Sequence, residues 1–90
     1  MHFHEVVRGL ERNGHVFEDR KRAHRFVHYM VKHGVIGAPS WRGCESVYPR
    51  DTLDRALRAL RLRDRGVPLK RVPELWREDV DGRIERVLLS

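Results

Sequence analysis

The sequence predicts a mainly α-helical single domain, residues 1–90, with one short β-ribbon between its second and third helices. Three observations predict this fold class. Apolar residues recur at helical spacing in several segments, glycines and prolines separate those segments, and one Gly- and Pro-containing stretch has β-prone ends. A chain of 90 residues buries a modest core, so it has no room for both a scaffold and a large active-site cleft.

The first two predicted helices cover about residues 3–12 and 20–33. Asn13-Gly14 is a stop signal after the first helix. Gly34 suits the left-handed position that follows the second. The apolar positions of the second helix fall on one face that can dock on a core: Ala23, Phe26, Val27 and Met30. In the connection between the two helices, Val16 and Phe17 are expected to pack.

Residues 35–48 cannot form a helix, because glycine and proline interrupt them repeatedly. Both ends of the stretch are β-prone, so it predicts a short β-ribbon, commonly called a wing, whose loop carries Trp41 and Arg42. Trp41 is either a contact residue or a cap on the ribbon. Cys44 is expected to be a small, partly buried side chain in this ribbon.

The third predicted helix covers about residues 50–65, after Pro49 and before Gly66. Two Asp–Arg pairs at i,i+4 spacing can form on its outer side, each worth about a few tenths of a kcal/mol. Its arginines are therefore expected to lie on a solvated surface: Arg55, Arg58, Arg61 and Arg63.

Pro73 cannot occupy a helix interior, so a further short helix is predicted at about residues 73–81. Trp76 and Val80 are expected to face inward there. The tail, residues 82–90, is too apolar to remain unpacked, and it either packs on the domain or forms a dimer contact. Its spacing fits a helix, which we favour, and also a hairpin that turns at Asp81-Gly82.

The charge of the chain favours a polyanionic partner. The formal net charge is +6, the isoelectric point is about 10.4, and 36% of the residues are charged. Nucleic acid is the simplest such partner, with an acidic protein surface and an anionic membrane as alternatives. One cysteine excludes an internal disulfide and suits a reducing compartment. No stretch resembles a signal peptide or a bilayer span, so we expect a cytoplasmic protein that does not enter membranes.

The outer face of the second predicted helix is a cationic stripe that contains one aromatic residue. Such a face can lie against phosphates and reach base edges, which predicts binding to double-stranded DNA. The alternative is an ordinary amphipathic helix whose outer face is merely solvated. The residues of this stripe are Lys21, Arg22, Arg25, Tyr29 and Lys32.

The predicted order of elements is that of a winged helix-turn-helix, and the local sequence resembles the MerR-type DNA-binding domain. VHYMVKHGVI at residues 27–36 is similar to the end of that family's recognition helix. YPRDTL at residues 48–53 is similar to the start of its third helix. LRLRDRGVPLKRV at residues 60–72 is similar to the family's Leu-Arg run followed by glycine. The similarity extends from about Arg22 to Leu75.

This resemblance implies roles for individual residues. Arg22, Arg25, His28 and Tyr29 fall where the family reads the major groove and contacts phosphate. Trp41 and Arg42 fall in the wing, which contacts the flanking backbone or the minor groove. The resemblance also implies that the protein is bacterial or from a phage.

The sequence departs from the family pattern in three places. The connection at residues 13–20 is longer than the family's tight turn, and Pro73 interrupts what is a continuous fourth helix in the family. The long dimerisation helix and an effector-binding domain are missing. The comparison is therefore with small stand-alone members, which are excisionase-like architectural proteins and minimal regulators that bind DNA cooperatively.

Other chemistries are weakly supported. His24 and His28 have the i,i+4 spacing that can place two imidazoles on one metal, and His2, His4, His33 and Cys44 could add ligands. There is no Cys-x-x-Cys or His-Glu-x-x-His motif, no Gly-rich phosphate loop and no distinct carboxylate pair. We therefore expect no metal site, no cofactor and no catalytic residues.

Two functions remain from the sequence. The first is a small transcriptional regulator or architectural factor that binds double-stranded DNA, as a homodimer or a cooperative array. The second is a protein-interaction module of the same fold that binds an acidic protein partner in a phage, transposon or transcription complex. An exposed cationic face continuous with Arg42 would favour DNA, whereas a face covered by residues 13–20 would favour a protein. The expected DNA contacts are Lys21, Arg22, Arg25, His28, Tyr29, Lys32, Trp41 and Arg42.

Overall fold

The computed structural model describes residues 1–90 as a mainly helical protein with one small antiparallel hairpin. Five α-helices, a 3₁₀ turn and two strands follow one another along the chain. The helices are α1 (Phe3–Arg12), α2 (Arg20–Lys32), α3 (Thr52–Asp64), α4 (Val72–Glu78) and α5 (Arg83–Leu89), the strands are β1 (Ser40–Arg42) and β2 (Glu45–Val47), and the 3₁₀ turn is Leu69–Arg71. None of the helices has the length and apolar character needed to cross a bilayer.

Local signals in the sequence explain where α2 and α3 begin and end. The Asp19 carboxylate accepts the backbone N–H of Arg22 at 2.8 Å and caps the start of α2. Gly34 follows α2 with φ of 77° and Gly66 follows α3 with φ of 97°, a conformation that favours glycine. The second and third predicted helices therefore end where their glycines indicated.

A single apolar cluster joins the helices. α1 packs directly on α3, where Gly9 lies against the side chain of Leu53 without a Cβ of its own. The partly buried side chains of Phe3, Phe17 and Phe26 extend the cluster towards the surface. The buried members of the cluster are Val6, Leu10, Val27, Met30, Val35, Ile36, Ala56, Ala59, Leu60, Leu62, Leu69 and Val72.

Trp41 and Arg42 lie in β1 and not in the loop, which is formed by residues 43–44, so the expectation that the loop carries them is wrong. Val35 and Ile36, at the β-prone start of the stretch 35–48, are buried in the core instead of forming a strand.

The hairpin is fixed to the start of α1. Trp41 of β1 pairs with Ser46 of β2, and His2 bridges to Val47 on the opposite side of β2. The backbone N–H of Tyr48 donates to the carbonyl of Met1 at 2.7 Å. Because these bonds join the chain just before α1 to β2 and its exit, the hairpin keeps a defined position beside α1.

The end of α4 differs from the prediction. The predicted fourth helix extends to residue 81, but α4 ends at Glu78, since the Asp79 carboxylate turns towards the next helix instead. Its two oxygens accept the backbone N–H groups of Ile84 and Glu85, each at 2.9 Å. These hydrogen bonds satisfy free donors at the start of α5. The tail is therefore a helix, and the hairpin alternative is wrong.

The apolar packing of the tail on the domain comes from its last residues. Leu88 and Leu89 lie against the core, which agrees with the prediction that the tail packs. The prediction that Val80 faces inward is wrong, because its side chain lies in the α4–α5 turn and is 92% exposed. Val87 is also 74% exposed, so α5 presents apolar side chains to solvent.

Two arginines of α3 are not simple surface residues. The guanidinium carbons of Arg55 and Arg58 each lie 5.0 Å from the ring centroid of Trp76, which is half-buried against the core. Arg55 Nε also donates to the carbonyl of Val35 at 2.9 Å. The expectation of a fully solvated arginine surface is wrong for these two residues, because α4 places an aromatic ring beside them.

Candidate nucleic-acid interface

The outward face of α2 carries positive charge and no negative charge. The helix contains five Lys and Arg residues and no Asp or Glu, and its buried residues are confined to the opposite face. At 100° per residue, Lys21, Arg25 and Lys32 lie along the centre of the exposed arc. We call these three residues the cationic ridge. All three are exposed, so a polyanion can approach them directly.

The cationic ridge is free of ion pairs. None of its three residues has a carboxylate oxygen within 4.0 Å, whereas Arg22 lies 3.2 Å from Glu18 and 3.8 Å from Asp19. A phosphate that contacts the ridge therefore does not have to displace a carboxylate. Arg22 would have to give up its acidic partners, so its predicted role as a DNA contact is weaker than that of Arg25.

Tyr29 lies on the edge of the face away from the hairpin. Its ring is 39% exposed and packs at a tilt on the ring of His33, with centroids 4.3 Å apart. The contact with the imidazole lies on one side of the phenol ring and leaves the rest of the ring accessible. Its hydroxyl can donate or accept one hydrogen bond outside the helix.

A groove separates α2 from the hairpin on the other edge of the face. It consists of two adjoining cavities of about 470 and 220 Å³. Both cavities are lined by Phe3 and His24 on the helical side and by Trp41 and Ser46 on the hairpin. We call this the aromatic groove. His28 lines the smaller cavity, and Arg20 lines the larger one.

Aromatic rings form both walls of the aromatic groove. The rings of Phe3 and His24 are stacked, with centroids 4.0 Å apart and planes 8° from parallel. Trp41 is 69% exposed on the facing hairpin. Tyr48 lines the smaller cavity, and burial raises the pKa of its phenol, which is therefore neutral at physiological pH.

Arg42 is exposed but does not line the aromatic groove. Successive side chains of a strand point to opposite faces, and Trp41 and Ser46 share the face towards the groove. The structure thus brings His28 and Trp41 to one groove and leaves Arg42 apart from it. The exposed ridge of α2 and Arg42 do not form one continuous surface across this hairpin face.

The connection between α1 and α2 leaves the cationic ridge uncovered. Phe17 packs at a tilt on Phe26, with ring centroids 5.5 Å apart, on the side of α2 that faces the core. Val16 is 73% exposed, so the expectation that it packs is wrong. The extra length of this connection is accommodated beside α2, and Lys21, Arg25 and Lys32 stay exposed.

Of the residues that line the groove, only His28 and Trp41 were singled out as contacts from the sequence; Phe3, Arg20 and His24 are among those that were not. Arg20, His24 and His28 follow one another at i,i+4 spacing, which indicates a common edge of α2. That signal alone could have placed Arg20 and His24 beside His28. The contribution of Phe3 depends on the packing of α1 against α2 and has no local signal.

No three His, Cys, Asp or Glu side chains come close enough to hold a metal ion. His2 instead stacks on His4 with centroids 5.9 Å apart, and its Nδ1 lies 3.8 Å from Glu45. Cys44 lies in the tight turn between the strands and is exposed. The expectation that this thiol is partly buried is therefore wrong.

No protein-family model, curated protein or solved structure matches this chain.

Proposed function

We propose that the protein is a DNA-binding protein of winged helix-turn-helix type, in which α2 enters the major groove and the hairpin is the wing. The order of α1, α2, the hairpin and α3 is compatible with that fold. As a small transcriptional regulator or an excisionase-like architectural factor of MerR type, it would act on double-stranded DNA in the cytoplasm. No catalytic step is part of this proposal.

The observation that carries the proposal is the unpaired cationic ridge. Lys21, Arg25 and Lys32 are exposed and have no ion-pair partner, on a helix that contains no carboxylate. Surface cations of proteins that do not bind polyanions are commonly interspersed with acidic residues, as they are on α3. A stretch of free cations along one helix face suits the regularly spaced phosphates of a duplex.

The structure also bears on the alternative of an acidic protein partner. That alternative gains if the connection between α1 and α2 covers the basic face, and the ridge is instead exposed. The second sign in favour of DNA, a ridge continuous with Arg42, is not met, because Arg42 lies apart from the groove. An acidic protein could still contact an exposed ridge, but the adjoining aromatic groove with His28 and Trp41 suits a nucleic acid better. DNA binding is therefore the function that this arrangement favours.

A domain of this size reads few base pairs, so useful specificity requires a second protomer or a cooperative array. The C-terminal helix offers a surface for such contacts. Ile84 and Val87 are 46% and 74% exposed, on the side of α5 that does not pack on the core. We include dimeric or cooperative binding in the proposal for this reason.

Fluorescence anisotropy with a mixed-sequence 20-base-pair duplex tests the proposal. The wild type is compared with Arg25→Ala/Lys32→Ala. The matched control, Arg61→Ala/Arg63→Ala, removes two exposed, unpaired arginines from α3. Each phosphate contact contributes a slope of about −0.9 to the plot of log affinity against log salt. We therefore expect the ridge variant to bind more weakly and to lose about two units of slope.

Binding by the control variant should remain close to that of the wild type. Circular dichroism verifies that both variants are folded. Absence of binding by the wild type at low salt would overturn the proposal. If the ridge variant and the control lost equal DNA affinity, binding would depend on net charge alone and not on α2. That result would also contradict the proposal.

A further inference from the structure

We propose that the aromatic groove binds an unpaired nucleobase, so that the protein prefers DNA with a bulged or single-stranded nucleotide over a perfect duplex. This inference rests on the proposed function, because it assigns a second recognition element to the same nucleic-acid partner. The sequence shows few aromatic residues and they are far apart in the chain. The fold places Phe3, His24 and Trp41 around one groove.

The rings of the groove offer a stacking surface. Trp41 leaves 69% of its surface in contact with water, an unfavourable exposure for a large aromatic side chain that has no packing role in the core. The parallel pair of Phe3 and His24 lies on the other wall. A planar base inserted between the walls would cover the indole, and base–aromatic stacking is worth about 1–3 kcal/mol.

The size of the groove fits one nucleotide and excludes a duplex. The two cavities have volumes of about 470 and 220 Å³, enough for a base with its sugar but far too small for stacked base pairs. A base can enter only after it has left the stack, and a bulged or unpaired base does so at little cost. The preference for unpaired DNA follows because a base pair must be broken in the perfect duplex before a base can enter the groove.

The polar groups around the groove can hydrogen-bond to a nucleotide. Arg20, His4 and His24 contribute one guanidinium and two imidazoles. Glu45 is the only carboxylate of the larger cavity, and it lies 3.8 Å from the imidazole of His2. A phosphate at the mouth of the groove would meet the guanidinium of Arg20, next to the cations of the ridge.

The test uses three fluorescently labelled DNAs of one sequence: a perfect duplex, the same duplex with a single unpaired nucleotide, and the single strand. Anisotropy gives the ratio of affinities for the bulged and the perfect duplex. We expect a ratio of about ten for the wild type, which corresponds to about 1.4 kcal/mol of stacking. Trp41→Ala should reduce this ratio to one, and Trp41→Phe should keep part of it.

Tyr29→Ala is the matched control, because Tyr29 is an exposed aromatic residue of the same surface that lies outside the groove. We expect it to change the affinity for both duplexes together and to leave the ratio unchanged. A 2-aminopurine at the unpaired position adds a direct readout. Its fluorescence should change on binding to the wild type and should stay constant with Trp41→Ala.

The outcomes separate the two proposals. If the wild type binds the bulged and the perfect duplex with equal affinity, the groove assignment is overturned and the proposal of DNA binding stands. A high ratio that Trp41→Ala does not lower also overturns the groove assignment. No binding to any of the three DNAs at low salt overturns the proposed function itself.

Discussion

The guanidinium of Arg58 makes two hydrogen bonds to the carboxylate of Glu85. Nε donates to Oε1 at 3.0 Å and Nη2 donates to Oε2 at 2.6 Å. The Glu85 side chain is 12% exposed and that of Arg58 is 40% exposed, so the pair is partly buried between α3 and α5. These hydrogen bonds raise the pKa of Arg58, and they tie the C-terminal helix to the core helix.

Breaking this pair should destabilise the protein. We expect Glu85→Ala to lower the free energy of unfolding by about 1–2 kcal/mol, because a two-bond arginine–carboxylate pair is stronger than an exposed one. Asp54→Ala is the control, since Asp54 lies 3.9 Å from the same guanidinium and is 73% exposed. Urea unfolding should show a loss of less than about 0.5 kcal/mol for the control. Equal losses in the two variants would contradict this role of Glu85.

Asp79 should make stability depend on pH in the acid range. Hydrogen bonds from the backbone N–H groups of Glu85 and Ile84 lower the pKa of its carboxyl. A lowered pKa in the folded state adds stability at every pH above the ordinary aspartate pKa of about 3.9. This added stability is lost as the pH falls through the pKa of Asp79 in the folded protein.

Asp79→Asn should therefore lower the urea midpoint at pH 7 and bring variant and wild type together as the pH falls below about 4. Asp64→Asn is the control, because it removes the same charge from an exposed residue that has no side-chain hydrogen bond. If the difference in urea midpoint between Asp79→Asn and the wild type stayed constant from pH 7 to pH 3, the hydrogen-bonded carboxylate would not be the source of the added stability.

A methyl group at Gly9 should force the side chain of Leu53 to move, despite the helical position of Gly9. A Cβ at this residue would lie 2.5 Å from Cδ2 and 3.2 Å from Cγ of Leu53. Alanine would otherwise favour the helix by about 1 kcal/mol, but overpacking costs about 1–3 kcal/mol. We expect Gly9→Ala to lower the melting temperature. Adding Gly9→Ala to Leu53→Ala should instead be neutral or stabilising, and a loss in that background would disprove the steric explanation.

The exposed side of α5 should contribute to association and not to folding. Val87→Ser should change the free energy of unfolding by less than about 0.5 kcal/mol, because Val87 is 74% exposed. Leu88→Ser should cost about 1–2 kcal/mol, because Leu88 packs against the core. If protomers associate through this face, sedimentation equilibrium should show weaker association for Val87→Ser. A large loss of stability in Val87→Ser would show that the exposed side of α5 contributes to folding and would contradict this prediction.

Local signals predicted most of the helical segments. Asn13-Gly14, Gly34 and Gly66 mark helix ends because the backbone conformation after a helix favours glycine, a requirement that depends on the nearest residues alone. Helical periodicity likewise separated Ala23 and Met30, which are buried, from the charged side of α2. The roles of the eight expected DNA contacts stay predictions that the binding experiments test.

Errors arose where contacts that helical periodicity does not encode decide a residue's surroundings. Val80 continues an apolar pattern, yet it is exposed because the carboxylate of Asp79 ends α4 and begins α5. Arg55 and Arg58 have the spacing of solvated surface residues. They lie on Trp76 because α4 folds back on α3.

The sequence by itself determined the helical segments, the non-helical stretch between α2 and α3 that contains the hairpin, and the basic character of α2, since all three follow from the properties of neighbouring residues. The positions of the two strands within that stretch were not determined by it. Only the tertiary structure decided which cations are free and which rings share a groove. Phe3, His24 and Trp41 are brought together by the bond network that holds the hairpin beside α1. Contacts of this kind depend on packing between segments, and periodicity within one segment carries no information about them.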